Sequence, residues 1–159
     1  MIGQIEINSD VWYSLVTAIV TTFAPGDLIS HEWLHEKFGI NDFKTAKLED
    51  YESIDILIDS VRQAEFNYMF LIETLRRQLL EGLYGYLVNI RGEGYMILPY
   101  DEQVTYAFKK FMETLEKSIK KTDLIMKYTP PVSADQQKQD NDTKARYSWF
   151  KQAVEKIKK

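Results

Sequence analysis

Residues 71–99, LIETLRRQLLEGLYGYLVNIRGEGYMILP, constrain the fold more than any other stretch, because an apolar stripe at helical spacing runs straight into a turn with two glycines. Leu71, Leu75 and Leu79, with Ile72 and Leu80 beside them, recur at three- and four-residue steps and predict a helix. Thr74, Arg77, Gln78 and Glu81 fall on its opposite face. Gly82 follows the last apolar turn, where a left-handed glycine ends many helices. The runs 86–90 and 95–98 are rich in branched and aromatic side chains and predict two short strands. Arg91-Gly92-Glu93-Gly94 joins them, its two glycines supplying the positive φ of a tight hairpin.

The order I-E-T-L-R-R-Q-L-L-E and then N-I-R-G-E-G-Y-M-I-L resembles the recognition helix and wing of the DNA-binding (effector) domains of response regulators. In that winged helix-turn-helix family the wing reads V-R-G-x-G-Y-R. The resemblance covers residues 71–99, and its distinctive core is Arg91-Gly92-Glu93-Gly94-Tyr95. Met96 stands where the family carries a basic residue, which removes a phosphate contact. Upstream, Pro25-Gly26-Asp27, Ser30, Leu34 and Phe38-Gly39-Ile40 look like the first two helices of helix-turn-helix domains, with Leu34, Phe38 and Ile40 packing inward. The resemblance implies an α+β fold, mainly α with a small antiparallel β hairpin, to which the residues past Pro99 add a C-terminal helical extension. It also implies DNA binding in gene regulation. Arg76 and Arg77 of the helix and Arg91 of the wing are then the expected contacts, with Asn67, Thr74 and Gln78 as polar readers and Glu93 beside Arg91. Arginine matches guanine in two bonds, and Asn or Gln matches adenine likewise. Arg76 borders the apolar stripe, and pairing of the arginines with Glu73, Glu81 and Glu93 is the competing expectation.

Charge opposes a plain DNA reader. Residues 1–108 hold 7 Lys and Arg against 17 Asp and Glu, a net of −10, whereas residues 109–159 hold 13 against 7, a net of +6. A phosphate backbone is repelled by the first part and attracted by the second. The run 41–59 is especially acidic, with Asp42, Glu49, Asp50, Glu52, Asp55 and Asp59 against Lys44 and Lys47. Such a run is a solvated face, or a surface that docks a basic partner or imitates DNA. Ile54, Leu57, Ile58 and Val61 add a helical stripe leading toward Phe66.

At the N-terminus, residues 2–7 alternate weakly and predict a short edge strand. Ser9 caps an apolar helix over 11–23 that ends at Ala24-Pro25-Gly26. Residues 27–29 predict a further short strand. Ser30 caps a helix over 31–38 that stops at Gly39. That helix carries His31-Glu32-Trp33-Leu34-His35, a literal H-E-x-x-H, in which two histidines share a face and can hold zinc while the glutamate activates water. Asp55 is the third metal candidate, with Asp59 behind it. Pro25, Gly26 and Ser30 put His31 in a first turn, and Glu36 sets a charge directly after the second histidine. Both run against the zinc peptidase pattern.

Pro99 and Asp101 open a helix over 101–128. Val104, Phe108, Phe111, Leu115, Thr122 and Ile125 form a seam suited to core packing or to a dimer, and Glu113–Lys117 and Glu116–Lys120 are spaced as ion pairs. Residues 129–143 read as a polar linker. Residues 144–159 read as a basic amphipathic helix with Tyr147, Phe150, Val154 and Ile157 on one face, which needs a surface to dock on. The domain division is therefore 1–100, 101–128, 129–143 and 144–159.

With no cysteine among 159 residues, neither disulfides nor thiolate chemistry are available. No apolar run approaches the roughly 20 residues of a membrane span, and no signal peptide is legible, so a cytoplasmic protein without cofactor is expected. The leading expectation is a DNA-binding winged-helix regulator, homodimeric through its C-terminal helices, with double-stranded DNA as partner. The alternative is an acidic winged-helix protein-binding module, such as a phage or mobile-element inhibitor of a host DNA-binding protein. The third is a zinc hydrolase built on His31, His35 and Asp55.

Overall fold

The computed structural model describes residues 5–40, 43, 47–130 and 133–158. They form a mainly helical α+β chain with a small antiparallel sheet, in two compact units, Met1–Val104 and Thr105–Lys159. The elements run α1 (Asp10–Thr22), β1 (Leu28–Ser30), α2 (His31–Phe38), a 3-10 turn (Leu48–Asp50), α3 (Ile54–Glu81), β2 (Leu87–Ile90), β3 (Gly94–Ile97), α4 (Tyr100–Tyr128) and α5 (Ala134–Ile157). Among the described residues no helix is long and apolar enough to cross a membrane.

In the first unit, serine hydroxyls start three helices where backbone N–H groups lack partners. Ser9 accepts from the Trp12 N–H (3.1 Å), Ser30 from Trp33 (3.2 Å) and Ser53 from Ile56 (3.3 Å). Gly39 ends α2 in the left-handed conformation. Trp12, Ile19, Ile29, Leu34, Phe38, Leu75, Leu79 and Leu87 are fully buried and draw α1, α2, α3 and the sheet onto one core. Ile40 is partly buried against it. Burying each such side chain stabilises the fold by about 1.5–3 kcal/mol. Residues 1–4, Asp42 and Lys44 lie outside the described residues. The described end of the expected edge strand is not one: Ile5 joins the core and its N–H bonds the Phe38 carbonyl (3.3 Å).

Strand β3 is central, with order β1-β3-β2 and both pairings antiparallel. Gly94 faces Ile90 on one side and Ser30 on the other, so it belongs to the strand and not to the turn. A Cβ there would lie 2.1 Å from the Ile29 carbonyl oxygen, and φ is +155°. Both facts restrict the position to glycine.

Gly82 ends α3, but not by the left-handed conformation. Its φ is −77°, and Leu83 takes the positive φ of +62°. The Tyr84 N–H bonds the Leu79 carbonyl (2.9 Å) and the Leu83 N–H that of Leu80 (3.1 Å), a Schellman closure with leucine in the usual glycine place. A Cβ on Gly82 would strike the Tyr84 ring at 2.7 Å, which is why glycine precedes the turn.

The first unit runs to Val104 and so takes in the first turn of α4, where Gln103 Nε2 donates to the Leu98 carbonyl (2.9 Å). The second unit is a helical hairpin. The expected linker 129–143 is largely helix: Ser133 accepts from the Gln136 N–H (3.2 Å), and α5 starts at Ala134. The expected pairs Glu113–Lys117 and Glu116–Lys120 give way to others. Glu113 meets Lys110 (2.9 Å), and Glu116 reaches across to Lys158 (3.0 Å). Lys151 pairs with Asp123 (2.6 Å), and the Tyr147 hydroxyl bonds both Asp123 and the Ile119 carbonyl (3.0 Å each). The bonds from Lys151 and Tyr147 hold the Asp123 carboxyl below its ordinary pKa.

Candidate partner-binding surface

The stripe that begins at Ile54 and the stripe near Leu71 are one uninterrupted helix of 28 residues, with no glycine or proline to break it. Its buried residues, Leu71, Ile72, Leu75 and Leu79, all lie in its second half, while none of residues 54–70 is buried. The second half is therefore the packed root of α3, and the first half is the part presented outward.

That division separates the expected DNA contacts. Arg76 Nε donates to the Leu87 carbonyl (2.8 Å), its guanidinium pairs with Glu73 and lies over the Tyr86 ring, and its side chain is only 19% exposed. It ties α3 to β2 and is not free to read a groove. Gln78 accepts a hydrogen bond from the indole N–H of the buried Trp12, which fixes α1 to α3. Thr74 bonds the Phe70 carbonyl (3.0 Å), and Asn67 accepts from Gln63 (2.9 Å). Thr74, Arg77 and Gln78 line a shallow groove with Asn8, Tyr13 and Glu81. Arg91 is exposed on the hairpin turn, whereas Glu93 lines a different cleft. The structure does not gather these residues into one site.

The two histidines close on tyrosines. His31 Nδ1 and the Tyr68 hydroxyl share a hydrogen bond of 2.8 Å, and the His35 ring meets the Tyr68 ring edge-on at 4.3 Å. Tyr95 stands against His31 at 5.5 Å. Burial, with Tyr95 nearby, pushes the Tyr68 hydroxyl well above the ordinary tyrosine pKa. Asp55 sits in the first turn of α3, about 20 Å along the helix axis from Tyr68 at a rise of about 1.5 Å per residue. Among the described residues no group of three His, Cys, Asp or Glu side chains could hold a metal ion.

Beside these rings lies a cleft of ≈ 870 Å³ between α2, α3 and the hairpin turn. Glu32, Glu36, Glu65 and Glu93 line it with His31, His35 and Tyr68, and among the described residues no lysine or arginine does. Four carboxylates over a half-buried aromatic floor favour cations and disfavour phosphate.

Next to Glu65 and Tyr68, α3 exposes Phe66 (69%), Met69 (66%) and Phe70 (55%), with Asp59 and Arg62 a turn or two earlier. Single exposed apolar residues are ordinary, but three on adjacent turns of one helix form a patch. Sequence reasoning missed it by following only the Leu71 stripe. The signal was present, since Phe66, Met69 and Phe70 recur at three- and four-residue steps on the far side of that stripe. Comparison of this chain with protein family profiles, curated proteins and solved structures found no match.

Proposed function

We propose that this chain is a protein-binding module, which grips a basic protein surface with the first half of α3 and the adjoining acidic cleft. The order α1-β1-α2-α3-β2-β3 and the sheet order β1-β3-β2 support a winged-helix scaffold, in which α3 holds the recognition position and the Arg91 turn is the wing. One observation carries the functional reading. From Asp55 to Phe70 the recognition helix bears Asp55, Asp59 and Glu65 against Arg62, together with exposed Phe66, Met69 and Phe70. Phosphates are repelled by that helix, whereas a protein offers lysines and arginines to the carboxylates and apolar pockets to the rings. A DNA-binding host protein, basic where it meets phosphate, has the matching chemistry.

The test is capture from a nuclease-treated bacterial lysate by the tagged full chain. A stoichiometric basic protein is expected, lost with Phe66→Ser/Met69→Ser, a variant whose thermal stability stays within about 0.5 kcal/mol of the parent because neither residue is buried. Capture of no protein, or capture indifferent to that variant, overturns the reading.

DNA binding is the second reading, favoured by Arg77 and Arg91, which are exposed and make no ion pair among the described residues. Its signature is retardation of duplex DNA that falls steeply with salt and weakens with Arg77→Ala and Arg91→Ala. Unretarded DNA at low salt removes it.

A further inference from the structure

The α4–α5 hairpin cannot bury its own apolar residues. Among its described residues Ile119 and Val154 are the buried hydrophobics, whereas Phe108, Phe111, Ile125, Phe150 and Ile157 are exposed by 44–62%. The helices meet along Glu116, Ile119 and Asp123 of α4 and Tyr147, Lys151 and Lys158 of α5. At about 100° per residue, Phe111, Leu115 and Ile125 lie roughly a quarter-turn or more from that edge of α4. Phe150 and Ile157 lie roughly a quarter-turn from the corresponding edge of α5. Because the helices run antiparallel, both rotations lead to the same flank. Ser118, Thr122 and Ala153 fill the spaces between the large residues, so the flank's middle is free of charge, with the exposed Arg146 one turn beyond Phe150 at its end, in a segment where residues 109–159 hold 20 charged side chains.

We infer that this flank is a two-fold interface, on which the hairpin of a second copy of the chain packs to complete a four-helix bundle. The inference does not depend on the function proposed for α3. Aromatic side chains present about 150–250 Å² each, so a half-exposed set of this size offers on the order of 600 Å² per copy. A standard interface takes about 800 Å² from each partner, so the flank and its rim are of the right order. The uncharged centre asks no opposite charge of its partner. An identical flank meets it without placing lysines face to face, although residues 109–159 carry a net of +6. Two antiparallel helices with one apolar side are half of a bundle, and a closed two-fold pairing supplies the other half.

The test is the mass of the full chain in solution by sedimentation equilibrium. Twice the 18.7 kDa of the chain is expected. Phe111→Glu/Leu115→Glu should weaken association by at least about 100-fold, as removal of central anchors does, with the helical circular dichroism unchanged. The absence of native cysteine allows a second measurement that does not depend on how that variant folds. Ser118→Cys, on the flank, should oxidise to a cross-linked dimer, and Lys117→Cys, on the far side of α4, should not. A mass of 18.7 kDa at about 100 µM, where a micromolar dimer is fully formed, overturns the proposal. A dimer indifferent to the Phe111/Leu115 change, or equal cross-linking through both cysteine positions, also overturns it.

Discussion

The Nε–H of Arg76 points at the carbonyl oxygen of Leu87, 2.8 Å away, and so binds the root of α3 to the first strand of the hairpin. The two are eleven positions apart in the chain, and the contact forms only because α3 turns back at Gly82–Tyr84. An arginine next to an apolar stripe is thereby converted from a candidate DNA reader into a structural clamp.

Arg76→Ala should destabilise the first unit by about 2 kcal/mol, the scale of a charge-assisted hydrogen bond whose acceptor is left in a partly buried place. Arg76→Lys should restore little of it, since an ammonium cannot keep the carbonyl bond, the Glu73 pair and the stacking on Tyr86 at once. Chemical denaturation of the three proteins checks the order. A wild-type midpoint in the alanine variant would show that the bond contributes nothing.

Gly94→Ala should be among the most damaging single-atom additions in the chain. The new carbon would lie 2.1 Å from the Ile29 oxygen, so β1 must separate from β3. A loss of about 2–4 kcal/mol is expected from overpacking and unfavourable φ together. Gly92→Ala, at φ +80° with open space around it, should lose only about 1 kcal/mol. Melting temperatures of both variants decide whether contact or conformation dominates.

Leu83→Gly should raise stability by about 0.5–1 kcal/mol, because leucine there pays for a left-handed backbone that glycine adopts freely. The side chain is 85% exposed, so little packing is lost. A decrease in the unfolding midpoint would mean that the leucine makes a contact in solution that outweighs its strain.

The raised pKa of Tyr68 gives a stability change with a definite sign. In the unfolded chain the hydroxyl loses its proton near pH 10, while in the folded chain burial keeps it on beyond that. The unfolded state therefore binds fewer protons above pH 10, and stability, fully present below that pH, falls as the pH rises toward the folded value. Tyr68→Phe should flatten the alkaline limb of a plot of melting temperature against pH. Near neutral pH it should show only the small loss of the hydroxyl's bond to His31. Parallel alkaline limbs for the two proteins would place the titration elsewhere.

Much of the backbone was legible because its signals are local. Ser9, Ser30 and Gly39 cap where their types predict, the Leu71 stripe is helical, and the twin-glycine turn is a hairpin within one residue of its expected limits. The joined α3 and the early start of α5 were harder to see. The first half of α3 carries a stripe of its own, Ile54 to Val61, and no local signal between it and Leu71 says whether the two stripes share one helix. The polar start of α5 carries no stripe and rests on a serine cap and ordinary propensity.

The chain by itself determined the limits of α1, α2 and the hairpin strands, since caps, turns and hydrophobic period act between neighbours only a few residues apart. Tertiary structure alone decided which polar groups are committed inside and which remain available outside. Trp12 finds Gln78 across 66 positions and His31 finds Tyr68 across 37, so the partners that take Gln78 and His31 out of play come from distant elements. Hydrogen bonds and ring contacts depend on proximity in space, and proximity between distant residues exists only after the core has closed.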